Sequence, residues 1–185
     1  MDYYLDFTVL PDLEFSSPML MNNLFAKLHR QIGAYGEKQI GVSFPEVTAC
    51  CLGAVLRLHG TQQKLELLLC DNWMKGLRDY VEQSSIKPVP KDTVRYRTVR
   101  RVQKKSAHNK RKRSVAKGWL TEEAAQEAIQ ERGSDMLTHP YIQLRSLSTN
   151  SMMRIYIAHG AIQKEAVSGA FSSYGLSSTA TIPWF

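Results

Sequence analysis

The chain has 185 residues, with 24 Lys and Arg against 17 Asp and Glu for a formal charge of +7, and a hydrophobic share of 43%. That apolar content supports a packed core and excludes a disordered basic protein. The length fits one large domain or two small ones, and no apolar run approaches the ~20 residues of a membrane span. The opening MDYYLDFTVLPD carries acids where a secretory signal carries basic residues, so a cytoplasmic setting is expected. Cys50, Cys51 and Cys70 match no zinc spacing, and their odd number argues against a disulfide framework. Reduced thiols are expected, with no metal or cofactor and no membrane partner, so that catalysis would use side chains alone.

Tyr3, Leu5, Phe7 and Val9 alternate with Tyr4, Asp6 and Thr8, which predicts a half-buried strand ended by Pro11. Ser16 or Ser17 followed by Pro18 marks a helix start, a hydroxyl cap and then a proline in the first turn. Met21, Leu24, Phe25, Leu28 and Ile32 recur at helical spacing, and Gly33 and Gly36 close the helix. Ile40 to Phe44 and Val55 to His59 read as strands. Thr61 caps a second helix carrying Leu65, Leu68, Leu69, Trp73, Leu77 and Tyr80. Val94 to Gln103 is expected to supply the fourth strand of a split βαβ, ferredoxin-like pattern.

SSIKPVP, residues 84–90, reads as a linker. A short Ala-rich helix is expected from Glu122 to about Glu131, with Thr121 as its cap. Strands are expected over Tyr141 to Leu147, Met152 to Ala158, Ala170 to Tyr174 and Thr181 to Phe185. The expected class is thus α+β: a ferredoxin-like domain over residues 1–90, then a C-terminal part over 91–185 with a basic arginine/lysine-rich helix at about 107–117 and several β-strands.

Between Thr93 and Thr121 lie eleven Lys and Arg residues and no acid, while the rest of the chain has 13 basic residues against 17 acids. The positive charge is therefore one patch on a mildly acidic protein, and a polyanion such as nucleic acid is the partner it suits. From Ala107 to Lys117 a helix would place Lys110, Arg113 and Lys117 on one side with Arg111 and Lys112 beside them; the same run also fits a flexible basic loop. Lys104 and Lys105 precede it. Arg101 and Gln103 fall in a strand-like stretch, and Arg and Gln pair bidentately with guanine and adenine in a major groove.

RNA can be cut without metal, because its 2′-hydroxyl attacks the neighbouring phosphate when groups on the protein take one proton and give another. Histidine is the usual carrier. His29 sits at the edge of the first helix's apolar stripe, His59 and His159 each precede a glycine and read as turn residues, His108 lies in the basic run, and His139 precedes Pro140 in a turn. Hydroxyls cluster at Ser146, Ser148, Thr149 and Ser151, and again from Ser172 to Ser178.

Several ordered motifs say more: MNNLFAKLH (Met21–His29), IGVSFP (Ile40–Pro45), GLRDY (Gly76–Tyr80), RVQ (Arg101–Gln103), LRSLST (Leu144–Thr149), FSSYGLS (Phe171–Ser177) and PWF (Pro183–Phe185). With them the chain resembles, over its full length, the CRISPR repeat-RNA processing endoribonucleases of the type I-F system. The resemblance implies a metal-independent enzyme that cuts precursor CRISPR RNA at the 3′ base of the repeat hairpin, leaves 2′,3′-cyclic phosphate and 5′-hydroxyl ends, and stays on the guide RNA with the other subunits of a surveillance complex. It implies His29 as catalytic histidine, Ser146 as the serine holding the 2′-hydroxyl, Tyr174 as the residue orienting the histidine, and Ser148 as an RNA contact near the cut. Arg101 and Gln103 match its groove readers, and Lys110 to Lys117 its basic helix. The family's stacking aromatic falls on Met153, which lacks a π-face. A non-catalytic or slowly catalytic hairpin-binding subunit is the alternative.

Overall fold

A computed structural model describes residues 1–91, 94–103, 107–129, 137–145 and 150–185. The predicted Ser146, Ser148, Lys104 and Lys105 lie outside the described residues. By spatial proximity the chain divides into residues 1–102 with 139–185, and residues 103–138.

In the first unit, β1 (Tyr3–Val9) turns Leu5, Phe7 and Val9 into the core, as its alternation requires. Helix α1 (Ser17–Tyr35) starts at Ser16 with Pro18 in its first turn, although the Ser16 hydroxyl makes no capping bond. Its buried stripe is Leu20, Met21, Leu24, Phe25, Leu28 and Ile32. β2 (Gly41–Ser43) and β3 (Val55–Gly60) follow, then α2 (Gln62–Leu69), capped by the Thr61 hydroxyl accepting the Lys64 N–H. The second helix is shorter than its apolar spacing predicts. It stops at Cys70, and Asp71 and Asn72 lead into turns that still carry Trp73, Met74 and Leu77 to the core.

The fourth strand is not Val94–Gln103. It is β4 (Val81–Gln83), which pairs with β1 in the register Val9 to Val81 and Phe7 to Gln83. The antiparallel order is β2-β3-β1-β4, the ferredoxin-like arrangement of a βαββαβ chain. The expected linker also has a place: β5 (Lys87–Pro88) pairs with Tyr3 and Tyr4 of β1, and Ser84 Oγ accepts the Asp6 N–H.

Val94–Gln103 is divided at Thr98 into β6 (Arg95–Arg97) and β7 (Val99–Val102). In the second unit lie α3 (Ala107–Ala116) and α4 (Glu122–Ala128), the latter capped by the Thr121 hydroxyl. The chain returns to the first unit with β8 (Tyr141–Arg145), β9 (Met152–His159) and β10 (Ile182–Trp184). β10 pairs with β6, and β9 lies between β7 and β8. Ile142, Leu144, Ile155 and Ile157 join the same core as the first sheet, and the Gln143 N–H donates to Asn22 Oδ1 at 2.9 Å, tying β8 to α1. Among the described residues no helix is long and apolar enough to cross a membrane.

Candidate active site and basic helix

His29 is half-buried, one turn after Phe25 on α1. Its Nδ1 lies 2.8 Å from the backbone oxygen of Ser173. A carbonyl only accepts, so Nδ1 must carry the hydrogen, and in the neutral ring the lone pair is on Nε2. The Tyr174 ring stacks on the imidazole with centroids 4.1 Å apart and planes within 10°. The same phenol ring lies parallel to Phe25, at 6.4 Å and 6°. Residues i and i+4 of one helix thus share one aromatic partner.

The segment that delivers Ser173 and Tyr174 is a pinned loop, not the predicted strand. The Ser172 hydroxyl accepts the N–H groups of Tyr174 and Leu176, which is turn chemistry that competes with strand pairing. Gly175 closes the turn at φ +69, and a Cβ there would collide with the Val42 side chain. The loop is sewn to the turn after α1, to β2 and to β7: Phe171 N–H to the Lys38 oxygen, Val42 N–H to the Gly175 oxygen, and Ser177 N–H to the Val99 oxygen.

Arg101 on β7 is exposed, and its guanidinium carbon is 5.9 Å from the Tyr174 ring centre, at the outer limit of a cation–π contact. The structure therefore brings His29, Tyr174 and Arg101 together. Met153 is half-buried on β9 opposite Leu144. Gln103 is exposed just after β7.

In the second unit, Lys110, Lys112, Arg113 and Lys117 are exposed. Arg111 is part-buried and donates through Nε to the Ile129 oxygen at 2.7 Å, which fastens α3 to the end of α4. Arg97, counted within the basic run, is also engaged: it forks onto the Gly160 oxygen at 3.0 and 2.7 Å and lies over Trp184 at 4.5 Å. The terminal Phe185 covers Arg57, which holds Asp6 through two bonds of 2.7 and 2.9 Å.

His59 and His159 are strand residues, not turn residues. His59 is fully buried, with Nε2 2.8 Å from Ser43 Oγ. Burial, with the charge of Arg57, pushes its pKa down to about 3. His159 lies between Phe44 and Trp184, and burial with the charge of Arg97 lowers it to about 4. Neither is placed to exchange protons with a ligand. Sequence reasoning missed the Ser173 carbonyl; its one signal was adjacency to Tyr174. It also passed over Trp119, an exposed aromatic beside the basic run.

The family model described as CRISPR-associated protein (Cas_Csy4) matches residues 4–185. Two relatives, each named CRISPR-associated endonuclease Cas6/Csy4, align with the whole chain over their own full length. One from Escherichia coli (strain UTI89 / UPEC) is 52% identical, and one from Pseudomonas aeruginosa (strain UCBPP-PA14) is 41% identical. Fold and relatives together define a CRISPR-associated endonuclease. The chain belongs to the Cas_Csy4 family, in agreement with the resemblance carried by its ordered motifs. A more distant likeness, at TM-score 0.41 and 13% identity over all of both chains, is to a structure titled as CRISPR endoribonuclease Cse3 bound to 19 nt RNA.

Proposed function

We propose that this chain is a metal-independent endoribonuclease that cuts precursor CRISPR RNA at the 3′ base of the repeat hairpin and stays on the mature guide. The observation that carries the chemistry is the fixed imidazole: Nδ1 is spoken for by the Ser173 carbonyl, and the ring cannot turn without breaking its stack on Tyr174. A histidine so held presents Nε2 alone to a substrate. The 2′-hydroxyl attacks the adjacent phosphorus, the bond to the 5′-oxygen breaks, and the products are a 2′,3′-cyclic phosphate and a 5′-hydroxyl. His29 Nε2 either takes the proton from the 2′-oxygen or, from the imidazolium, returns one to the 5′-oxygen. Such positioned proton transfer contributes roughly 10²–10⁴ in rate.

Ser146, one residue beyond the end of β8, holds the 2′-hydroxyl in this reading, and Ser148 contacts the RNA beside the cut. Arg101 and Gln103 read base edges, Met153 packs under the closing base pair, and Lys104, Lys105, Lys110, Arg111, Lys112, Arg113 and Lys117 meet phosphates. The ferredoxin-like part, residues 1–90, supplies the histidine, and residues 91–185 supply the RNA contacts. The remaining partners are other subunits of a type I-F surveillance complex.

The test uses repeat RNA in EDTA, with and without a single 2′-deoxy sugar at the cut site. Cleavage of the unmodified RNA alone supports the reading. Tight binding of both RNAs with no cleavage of either replaces it with a binding subunit that holds one end of the guide.

A further inference from the structure

The largest exposed aromatic of the basic segment is Trp119, 66% exposed in the turn between α3 and α4. Its position is fixed. The Trp119 N–H donates to the Ser114 oxygen at 3.0 Å, and the Gly118 N–H to the Val115 oxygen at 2.9 Å. With Gly118 at φ +69, this is the paired-bond helix ending that only a left-handed residue permits. Two residues later Thr121 caps α4, and Arg111 ties α3 to the end of α4, so the turn is held from both sides. Lys117 Nζ sits 4.5 Å from the indole centre. A largely exposed aromatic anchored through its backbone, with a cation over one face of its ring and no acid from Thr93 to Thr121, suits an unpaired base stacking on the ring while its phosphate is neutralised.

We infer that Trp119 is a base-stacking residue that takes an unpaired nucleobase of the bound hairpin RNA. The inference rests on the reading of the chain as a hairpin-binding nuclease. Bases inside a duplex are already stacked on both faces, whereas an unpaired base has a face free for the indole.

The experiment is a two-by-two cycle of equilibrium binding with the full chain. Wild type and Trp119→Ala are each measured against the repeat hairpin and against hairpins carrying one abasic site, scanned through the stem, the loop and both flanking strands. Trp119→Phe serves as the conservative variant, and the thermal midpoint of each protein confirms folding. Loss of one stack is worth roughly 1–3 kcal/mol, about five- to 150-fold in affinity. The expected result is that Trp119→Ala and one abasic site at an unpaired position each weaken binding within that range, that together they weaken it no further, and that Phe restores most of the loss. Undiminished affinity of Trp119→Ala overturns the inference, as does an equal loss on intact and every abasic hairpin, or coupling only to a base-paired position. Failure of wild type to bind the intact hairpin fells the nuclease reading itself, and this inference with it.

Discussion

The imidazole of His29 and the phenol of Tyr174 lie face to face at 4.1 Å, although 145 residues separate them in the chain. The carbonyl one residue before Tyr174 fixes the hydrogen of the same imidazole. Orientation and tautomer are therefore set by two consecutive residues of one loop, and disturbing that loop disturbs both.

Replacing His29 by Ala is expected to leave hairpin affinity within about threefold and to slow cleavage by roughly 10²–10⁴. Single-turnover cleavage beside a binding isotherm checks this. Full activity in the variant would remove His29 from the chemistry.

Tyr174→Phe keeps the ring and should keep most of the rate. Tyr174→Ala frees the imidazole and should lower single-turnover cleavage by roughly tenfold or more, since misplacing a catalytic group by about an ångström is costly. Equal losses in Phe and Ala would shift the role from ring to hydroxyl.

Gly175→Ala combines a left-handed φ of +69 with a collision against Val42. The strain is worth about 1–3 kcal/mol. Denaturant unfolding should show that destabilisation, and cleavage should fall with it because the Tyr174 turn must shift.

Acid should destabilise the fold through two buried rings. His59 and His159 have folded pKa values of about 3 and about 4, against about 6.5 for unfolded histidine. Between those limits the unfolded chain holds more protons, so stability falls as pH drops below about 6.5 and the loss is complete near the folded values. Neither ring nitrogen of His159 has a hydrogen-bond partner among the described residues. His159→Phe should therefore flatten the decline between about pH 6 and pH 4.5 and change little above pH 7. Denaturation curves that stay parallel to wild type through that window would rule this out.

Salt should separate two kinds of arginine and lysine. Each phosphate contact removed lowers the slope of log affinity against log salt by about 0.7–0.9. Lys110→Ala should do this. Arg97→Ala should instead lower stability with little effect on the slope, because its guanidinium is taken up by the Gly160 carbonyl and Trp184.

The parts legible in the sequence were those governed by local pattern. β1 and α1 announced themselves by period, and the Thr61 and Thr121 caps by position. The fourth strand was misassigned because Val81–Gln83 is three residues long with one buried side chain, and Arg95 to Val102 offers a longer alternating run. The Phe171–Ser177 loop read as a strand because its decisive bonds belong to the Ser172 hydroxyl and to distant carbonyls. The burial of His59 and His159 comes from Ser43, Phe44 and Trp184, which no spacing along the chain reveals. His29 and Tyr174 were named through the family motifs; their stacking, and the carbonyl that orders it, are tertiary facts.

The stitching of Gly175 to Val42 has a consequence for biosynthesis. A ribosome has delivered every strand of the β2-β3-β1-β4 sheet by residue 83, and the nascent chain can begin to fold there. The basic run emerges next, well before β9 and β10 exist to pair with β7 and β6. His29 receives its ring partner only when the turn at residues 172–175 leaves the exit tunnel. The nascent chain thus exposes its cationic run while His29 still lacks the ring and the carbonyl that orient it.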